Sequence, residues 1–385
     1  MPWQETCVMT LRRELIEMWL SGDMSKVELA RLFQISRPTV DKWLHRYHEY
    51  GLSGLEDKSR KPWHNPTIIS DDIKELLITL KYRYRQFGPK KIADRFRMLY
   101  GDLSCPADST VGNILKSAGL VKSRKRIKRT PGYPDHLTRS HQAGEVWNAD
   151  FKGDVRLGNG RRCYPLTVSD DYSRYLLGCE ALDSTRTTGV RERFECLFEV
   201  HGVPDAIKTD NGVPFASSAI GGLSQLSRWF IQHGIRPERI EKGKPTQNGR
   251  HERMHRTLKE HAMKPPRHSF YTQQVAFERF KQEYNYERSH ESLNRQVPGQ
   301  VYRPSTRPYS RRIRSIEYDT PMTVRRVRHN GEIKFQGRLH YLTEILAKEP
   351  IGLIETDTDH WNIYYSFQKI GIYSGRHKKV LHLKT

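Results

Sequence analysis

The chain has 385 residues, with 66 Lys and Arg against 44 Asp and Glu, a formal charge of +22, and 36% hydrophobic residues. That length exceeds one small domain, and that charge points to a polyanionic partner bound through phosphate neutralisation and counterion release. No apolar run reaches the roughly 20 residues that cross a bilayer, no signal-peptide pattern opens the chain, and the 5 cysteines lack any C-x-x-C spacing, so a cytoplasmic protein with reduced thiols is expected.

Residues 1–65 carry helical periodicity. LRRELIEMWLSG stops at Gly22, and SKVELARLF opens on Ser25 with Glu28 three residues later, the pattern of a capping box. After the short link QIS, RPTVDKWLHRYHEYG has Ser36 as its cap and Pro38 in its first turn. Two helices joined by a tight turn, the second rich in basic residues, predict a helix-turn-helix. The N-terminal residues of such a second helix meet base edges in the major groove, which nominates Arg37, Thr39 and Lys42.

Residues 66–121 repeat the texture in three helical stretches, the second starting PKKIADRF and the third capped by Asp108 or Ser109. A second helix-turn-helix is expected there, with Lys90 and Lys91 as DNA contacts. The linker 122–140 opens with KSRKRIKR, six basic residues within 122–129, among them Arg124, Lys125 and Arg126. Between two DNA-binding modules such a run is expected to follow a phosphate backbone or a minor groove.

Residues 141–305 read as three strands, then helix, strand, helix, strand, helix, the order of a mixed sheet flanked by helices. Residues 306–385 return to short strands, with a hairpin signal at Asn330-Gly331, and predict a small β domain of barrel type. The fold class is therefore multidomain α+β.

Three acids in the middle region call for a reason. Asp150 lies in the strand pattern WNADF, Asp210 closes the strand AIKT before the turn Asn211-Gly212, and Glu252 sits among basic residues on a helix starting near 246–249. If the strands adjoin and the helix packs across their ends, three carboxylates converge. Oxygen donors of that kind suit Mg²⁺ or Mn²⁺, and two such ions about 4 Å apart can drive phosphoryl transfer. Glu252, Arg256 and Lys259 share one helix face, while Met254 and Leu258 would face the core. The plain alternative is that Glu252 only forms an i,i+4 ion pair with Arg256. Asp154, the Asp170-Asp171 turn and Glu260 are weaker candidates, and His251 and His255 read as packing or phosphate contacts.

The stretches Trp147-Asn148-Ala149-Asp150, Lys208-Thr209-Asp210-Asn211-Gly212 and Asn248-Gly249-Arg250-His251-Glu252-Arg253, followed by HRTLK, resemble the integrase-like DDE transposases of bacterial insertion sequences. Their core is ribonuclease-H-like and shared with retroviral integrases. YNYERSHESL and PGQVYRPSTRPY resemble later family stretches, so the likeness covers roughly residues 12–308. It implies Asp150, Asp210 and Glu252 as ligands of two Mg²⁺ or Mn²⁺ ions. It also implies DNA ends held by Arg256 and Lys259, with Lys244 and the Gln247-Asn248 loop beside them. The activity implied is cleavage at terminal inverted repeats of double-stranded DNA, then transfer of 3′-OH ends into target DNA by at least a dimer, in the cytoplasm on the nucleoid. The rivals are a catalytically silent DNA-binding regulator and a nuclease that only hydrolyses. Two departures stand out: 41 residues separate Asp210 from Glu252, more than in retroviral integrases, with the excess expected at SSAIGGLSQLS, and Ser289 replaces a proline common in the family.

Overall fold

The computed structural model describes residues 7–58, 69–121, 137–240, 249–313, 315–357 and 359–382. The chain divides into two compact units, residues 1–68 and 69–385. In the first, α1 (Val8–Leu20), α2 (Lys26–Leu32) and α3 (Arg37–Tyr50) close on Leu15, Ile16, Leu29, Val40 and Trp43. The helical spacing of those residues puts each on the inward stripe of its helix. The Ser25–Glu28 capping box is formed, and Gly22, at a φ of 81°, stops α1. Ser36 stands at the N-cap of α3, but its hydroxyl pairs with that of Thr39 (2.8 Å) and caps no backbone amide.

The second unit begins with α4 (Asp71–Arg83), α5 (Pro89–Leu99) and α6 (Asp108–Ser117), packed around Phe87, Ile92, Phe96, Val111 and Leu115. The cap position of α6 falls to Ala107 rather than to Asp108 or Ser109. Asp108 lies inside the first turn, and its carboxylate pairs with Arg97 and Arg295.

The central sheet is built from β1 (Val146–Phe151), β2 (Val155–Arg156), β3 (Arg162–Asp170), β4 (Leu176–Leu182), β5 (Ala206–Thr209) and β6 (Arg236–Arg239). Its main order is β4-β3-β1-β5-β6, antiparallel from β4 to β1 and parallel from β1 to β6, with β2 against the start of β3. Helices α7 (Thr187–His201) and α8 (Gln225–Gln232) contribute Phe194, Phe198 and Trp229 to the core beneath Trp147. On the other face α9 (Gly249–Ala262) and α10 (Phe270–Tyr286) bring Met254, Leu258 and Phe277 against Cys163 and Leu176. The short α11 (Pro298–Val301) follows. The result is the mixed, helix-flanked core that the strand and helix order predicts. Residues past 305 still grip it: Arg307 reaches Asp205 and the carbonyls of Pro204, His233 and Gly234.

The last domain holds β7 (Thr323–Arg326), β8 (Glu332–Phe335), β9 (Arg338–Tyr341), β10 (Pro350–Asp357), β11 (His360–Tyr365), β12 (Gln368–Ser374) and β13 (Lys379–His382). Five strands form an antiparallel sheet in the order β13-β12-β11-β10-β7, and β8-β9 make a separate hairpin over the same core. The Asn330-Gly331 signal marks a turn, yet the strands around it part: β7 pairs with β10 and β8 with β9. The two-residue hairpin turn is Gln336-Gly337, both at positive φ (48° and 76°) as a primed turn requires. SSAIGGLSQLS is no exposed insertion. Ile220 and Leu223 are buried in the C-terminal core, and a Cβ on Gly221 would stand 2.9 Å from the carbonyl oxygen of Ile370.

Candidate active site

In the parallel ladder of β1 and β5, Asn148 lies opposite Lys208 and Ala149 opposite Thr209. The next residues are Asp150 and Asp210, so two acids stand on neighbouring strands at the carboxyl edge of the sheet. Asp210 is just past its strand, in a turn where its Oδ1 accepts from the amide of Gly212 (3.1 Å). Asn211 bridges to the carbonyl of Ile240 at the end of β6 (2.6 Å).

Helix α9 is laid against this edge by two faces of different chemistry. Met254 and Leu258 are buried at i,i+4, as the spacing predicts. Beside them His251 and His255, each 3% exposed, both bring Nε2 within 2.7 Å of the Thr167 hydroxyl on β3. That hydroxyl donates to the carbonyl oxygen of Asp150 (3.0 Å), leaving both imidazoles to donate from Nε2. His251 Nδ1 then accepts from Ser169 (3.1 Å), and His255 Nδ1 faces Asp150 Oδ2 at 3.8 Å. Burial pushes His251 down to about 3 and His255 to about 2, the latter helped by His251 and Lys152, so both are neutral rings. Among the described residues, the ligand atoms of Asp150, His251 and His255 meet within 4.8 Å as a possible metal group. Asp210 and Glu252 are outside that cluster. Three of the four imidazole nitrogens are taken up by Thr167 and Ser169, so the cluster serves as a hydrogen-bonded support under Asp150.

Glu252 is exposed in the first turn of α9 and, among the described residues, forms no ion pair, with Arg256 or any other partner. Arg256 and Lys259 are exposed on the same helix. The rival acids are all engaged elsewhere or turned away. Asp154 pairs with Arg162 (3.0 Å), and Glu260 is exposed further along α9. Asp170 closes β3 and its carboxylate caps the turn that follows, accepting from Ser173 N and Oγ and from Gly144 N; burial dominates and raises its carboxyl above the ordinary range. Its neighbour Asp171 goes the other way. Burial raises it, but Lys208, Asn148, Ser140 and Arg250 together hold it low. The sequence reading missed Asp171 as anything beyond a turn residue.

Of the expected DNA contacts, Arg37 and Lys42 are exposed on α3, while Thr39 is half-buried against Ser36. Lys91 departs from expectation: its ammonium donates to the Ser289 carbonyl, and burial pushes it down to about 8. Lys90 pairs with Glu291 (3.1 Å). This face of α5 docks the second helical domain on residues 287–296, aided by Ser289 Oγ donating to Asp94 (2.6 Å) and Arg295 pairing with Asp94 (2.7 Å). Arg124, Lys125, Arg126, Lys244 and the Gln247-Asn248 loop lie outside the described residues.

Known proteins match along this architecture. Residues 11–62 match a helix-turn-helix domain and 39–115 a homeodomain-like domain, while 140–245 and 233–298 each match an integrase core domain. The 39.2 kDa protein of insertion element IS476 from Xanthomonas euvesicatoria is 30% identical over 206 residues, 51% of this chain and 54% of that protein. The 31.7 kDa protein of insertion element IS407 from Burkholderia multivorans is 26% identical over 249 residues, 62% of this chain and 82% of that one. The chain thus spans about half the length of the first relative and most of the second. A solved HTLV-2 integrase catalytic core in complex with magnesium superposes with a TM-score of 0.34 at 14% identity, over 43% of this chain and 100% of that one. The chain is thus similar to integrase core domains over residues 140–298, behind helix-turn-helix and homeodomain-like matches, and to proteins of bacterial insertion elements.

Proposed function

We propose that this protein is a DNA transposase that cuts at the terminal inverted repeats of an insertion sequence and joins the freed 3′-OH ends to target DNA. The parallel register of β1 and β5 supports this reading most, because it brings Asp150 and Asp210 to one sheet edge, against which α9 is laid. Asp150, Asp210 and Glu252 would hold two Mg²⁺ or Mn²⁺ ions, and the donor set fits, since carboxylate oxygens are the hard ligands such cations take. Bound there, the ions supply activation of the attacking oxygen and charge stabilisation of the leaving one. Water is the first nucleophile and the DNA 3′-OH the second, with no covalent protein intermediate.

The chain's own residues position the DNA. Arg256 and Lys259, one and two turns beyond Glu252, neutralise phosphates beside the scissile bond. Arg37 and Lys42, at the start of α3, meet base edges of the terminal repeats. Two ends must be joined together, so a dimer or larger assembly is the working form. No described helix is long and apolar enough to cross a membrane; the proposed place of the reaction is the nucleoid, because its substrate is DNA.

The test incubates labelled DNA ends from the flanks of the gene with wild-type protein and Glu252→Gln in Mg²⁺ or Mn²⁺. Wild-type nicking and joining, with a variant that only binds, is the expected result. Binding without cutting by either protein favours a silent regulator, and cutting without joining favours a nuclease. Equal cutting by both reduces Glu252 to a charge on a basic helix.

A further inference from the structure

Asp171 is the first residue of the turn after β3, and it is 5% exposed. Its amide donates to the carbonyl of Val146 at the head of β1 (2.8 Å). Its carboxylate accepts from Asn148 Nδ2 (3.0 Å) and Ser140 Oγ (2.8 Å), and is paired with Lys208 Nζ (3.5 Å) and Arg250 (3.5 Å). Asn148, Lys208 and Arg250 come from β1, β5 and the first turn of α9, segments separated by 60 and 42 residues or so along the chain. Each stands two positions before Asp150, Asp210 and Glu252 respectively.

From that coincidence we propose that Asp171 is a positioning residue for the metal-binding carboxylates, one buried anion gripping the neighbour of each. The inference rests on the metal-site reading above. On β1, residues i and i+2 share a face, so fixing Asn148 fixes the height and direction of Asp150; Lys208 is the next-to-last residue of β5, so fixing it fixes where that strand ends and the turn carrying Asp210 begins. On α9, fixing Arg250 fixes the first turn that carries Glu252. Asp171 touches none of the three acids, and it acts only through the residues it holds. With its charge removed, Lys208, whose side chain is 12% exposed, loses its counter-ion, and Arg250, 64% exposed, is free to swing into solvent. The three acid-bearing segments would then keep their fold but lose their common reference point.

The experiment measures Mn²⁺ binding to the full chain by the EPR signal of free Mn²⁺, for wild type, Asp171→Asn, Asp171→Glu, Arg250→Gln and Glu252→Gln. Folding is followed in parallel by the emission of the buried Trp147 and Trp229. Groups bonded directly to metal ligands typically set affinity by roughly 10–100-fold. Asp171 acts one residue further out, so Asp171→Asn is expected to weaken Mn²⁺ by about the low end of that range, on the order of tenfold, and to lower the rate of end nicking at saturating DNA, with Asp171→Glu recovering part of both. A folded Asp171→Asn that binds Mn²⁺ within about twofold of wild type overturns the proposal. If Asp171→Asn does not fold, Arg250→Gln, at an exposed position, decides in the same way: weaker Mn²⁺ supports it and unchanged Mn²⁺ overturns it. Should Glu252→Gln bind Mn²⁺ like wild type, the metal-site reading itself fails, and this inference with it. Loss in Glu252→Gln but not in Asp171→Asn rejects the positioning role alone.

Discussion

Thr167→Val isolates the polar join between α9 and the sheet. Thr167 is fully buried, and valine has nearly its shape, so the change opens no cavity and removes only the hydroxyl. Two imidazole nitrogens at 2.7 Å and the Asp150 carbonyl at 3.0 Å lose a partner at once. A buried polar group left unsatisfied costs about 1–3 kcal/mol. Counting the two nitrogens, and allowing about 1 kcal/mol back for burying a methyl in place of a hydroxyl, the net loss is roughly 1–5 kcal/mol. For a unit this large each kcal/mol moves the midpoint by about 2 °C, so a fall on the order of 2–10 °C is expected. Differential scanning calorimetry of the full chain, with Thr167→Ser as the control that keeps the hydroxyl, measures it. If the valine and serine variants melt together, the hydroxyl does not carry the join, and the support assigned to His251 and His255 is wrong.

The other expectations are smaller in scope. Burial lowers Lys91 from 10.5 to about 8, so the penalty on its charged form is present below pH 8 and relieved between about 8 and 10.5. Urea unfolding across that window should show wild type gaining stability, by up to about 3 kcal/mol, and Lys91→Met lacking the gain; parallel pH curves would count against it. Burial also lowers His201 to about 4 and His290 to about 3, so both are neutral in the fold and take up protons on unfolding below about pH 6.5. Stability should fall as pH drops from 6.5 towards 4, less steeply in a His290→Gln variant, as followed by tryptophan emission. Gly221 sits at a φ of 61° with the carbonyl oxygen of Ile370 2.9 Å from where a Cβ would be. Gly221→Ala should loosen the C-terminal sheet from the core by about 1–3 kcal/mol, read as faster limited proteolysis between residues 306 and 323.

The sequence by itself determined the local elements of this protein and the order in which they come. Helical stripes, capping residues and turn signals act within a few residues, and they give α1 to α3, the succession of strands and helices along the core and the inward faces of Met254 and Leu258, but not the order of the strands in the sheet. The three acids were legible for a related reason: a carboxylate ending a strand before Asn211-Gly212, or set among basic residues, is unusual in its own neighbourhood. What only the tertiary structure decided are pairings across long separations. Lys91 is turned inward because residues 287–296 pack on α5, almost two hundred positions later in the chain. SSAIGGLSQLS joins the C-terminal core because Ile220 finds Gly371 and its neighbours there. Asn330-Gly331 turns without forming the expected hairpin because β10 competes for β7. Asp171 carries no local mark, since its meaning comes from Asn148, Lys208 and Arg250, and those meet only when β1, β5 and α9 are assembled around one buried charge.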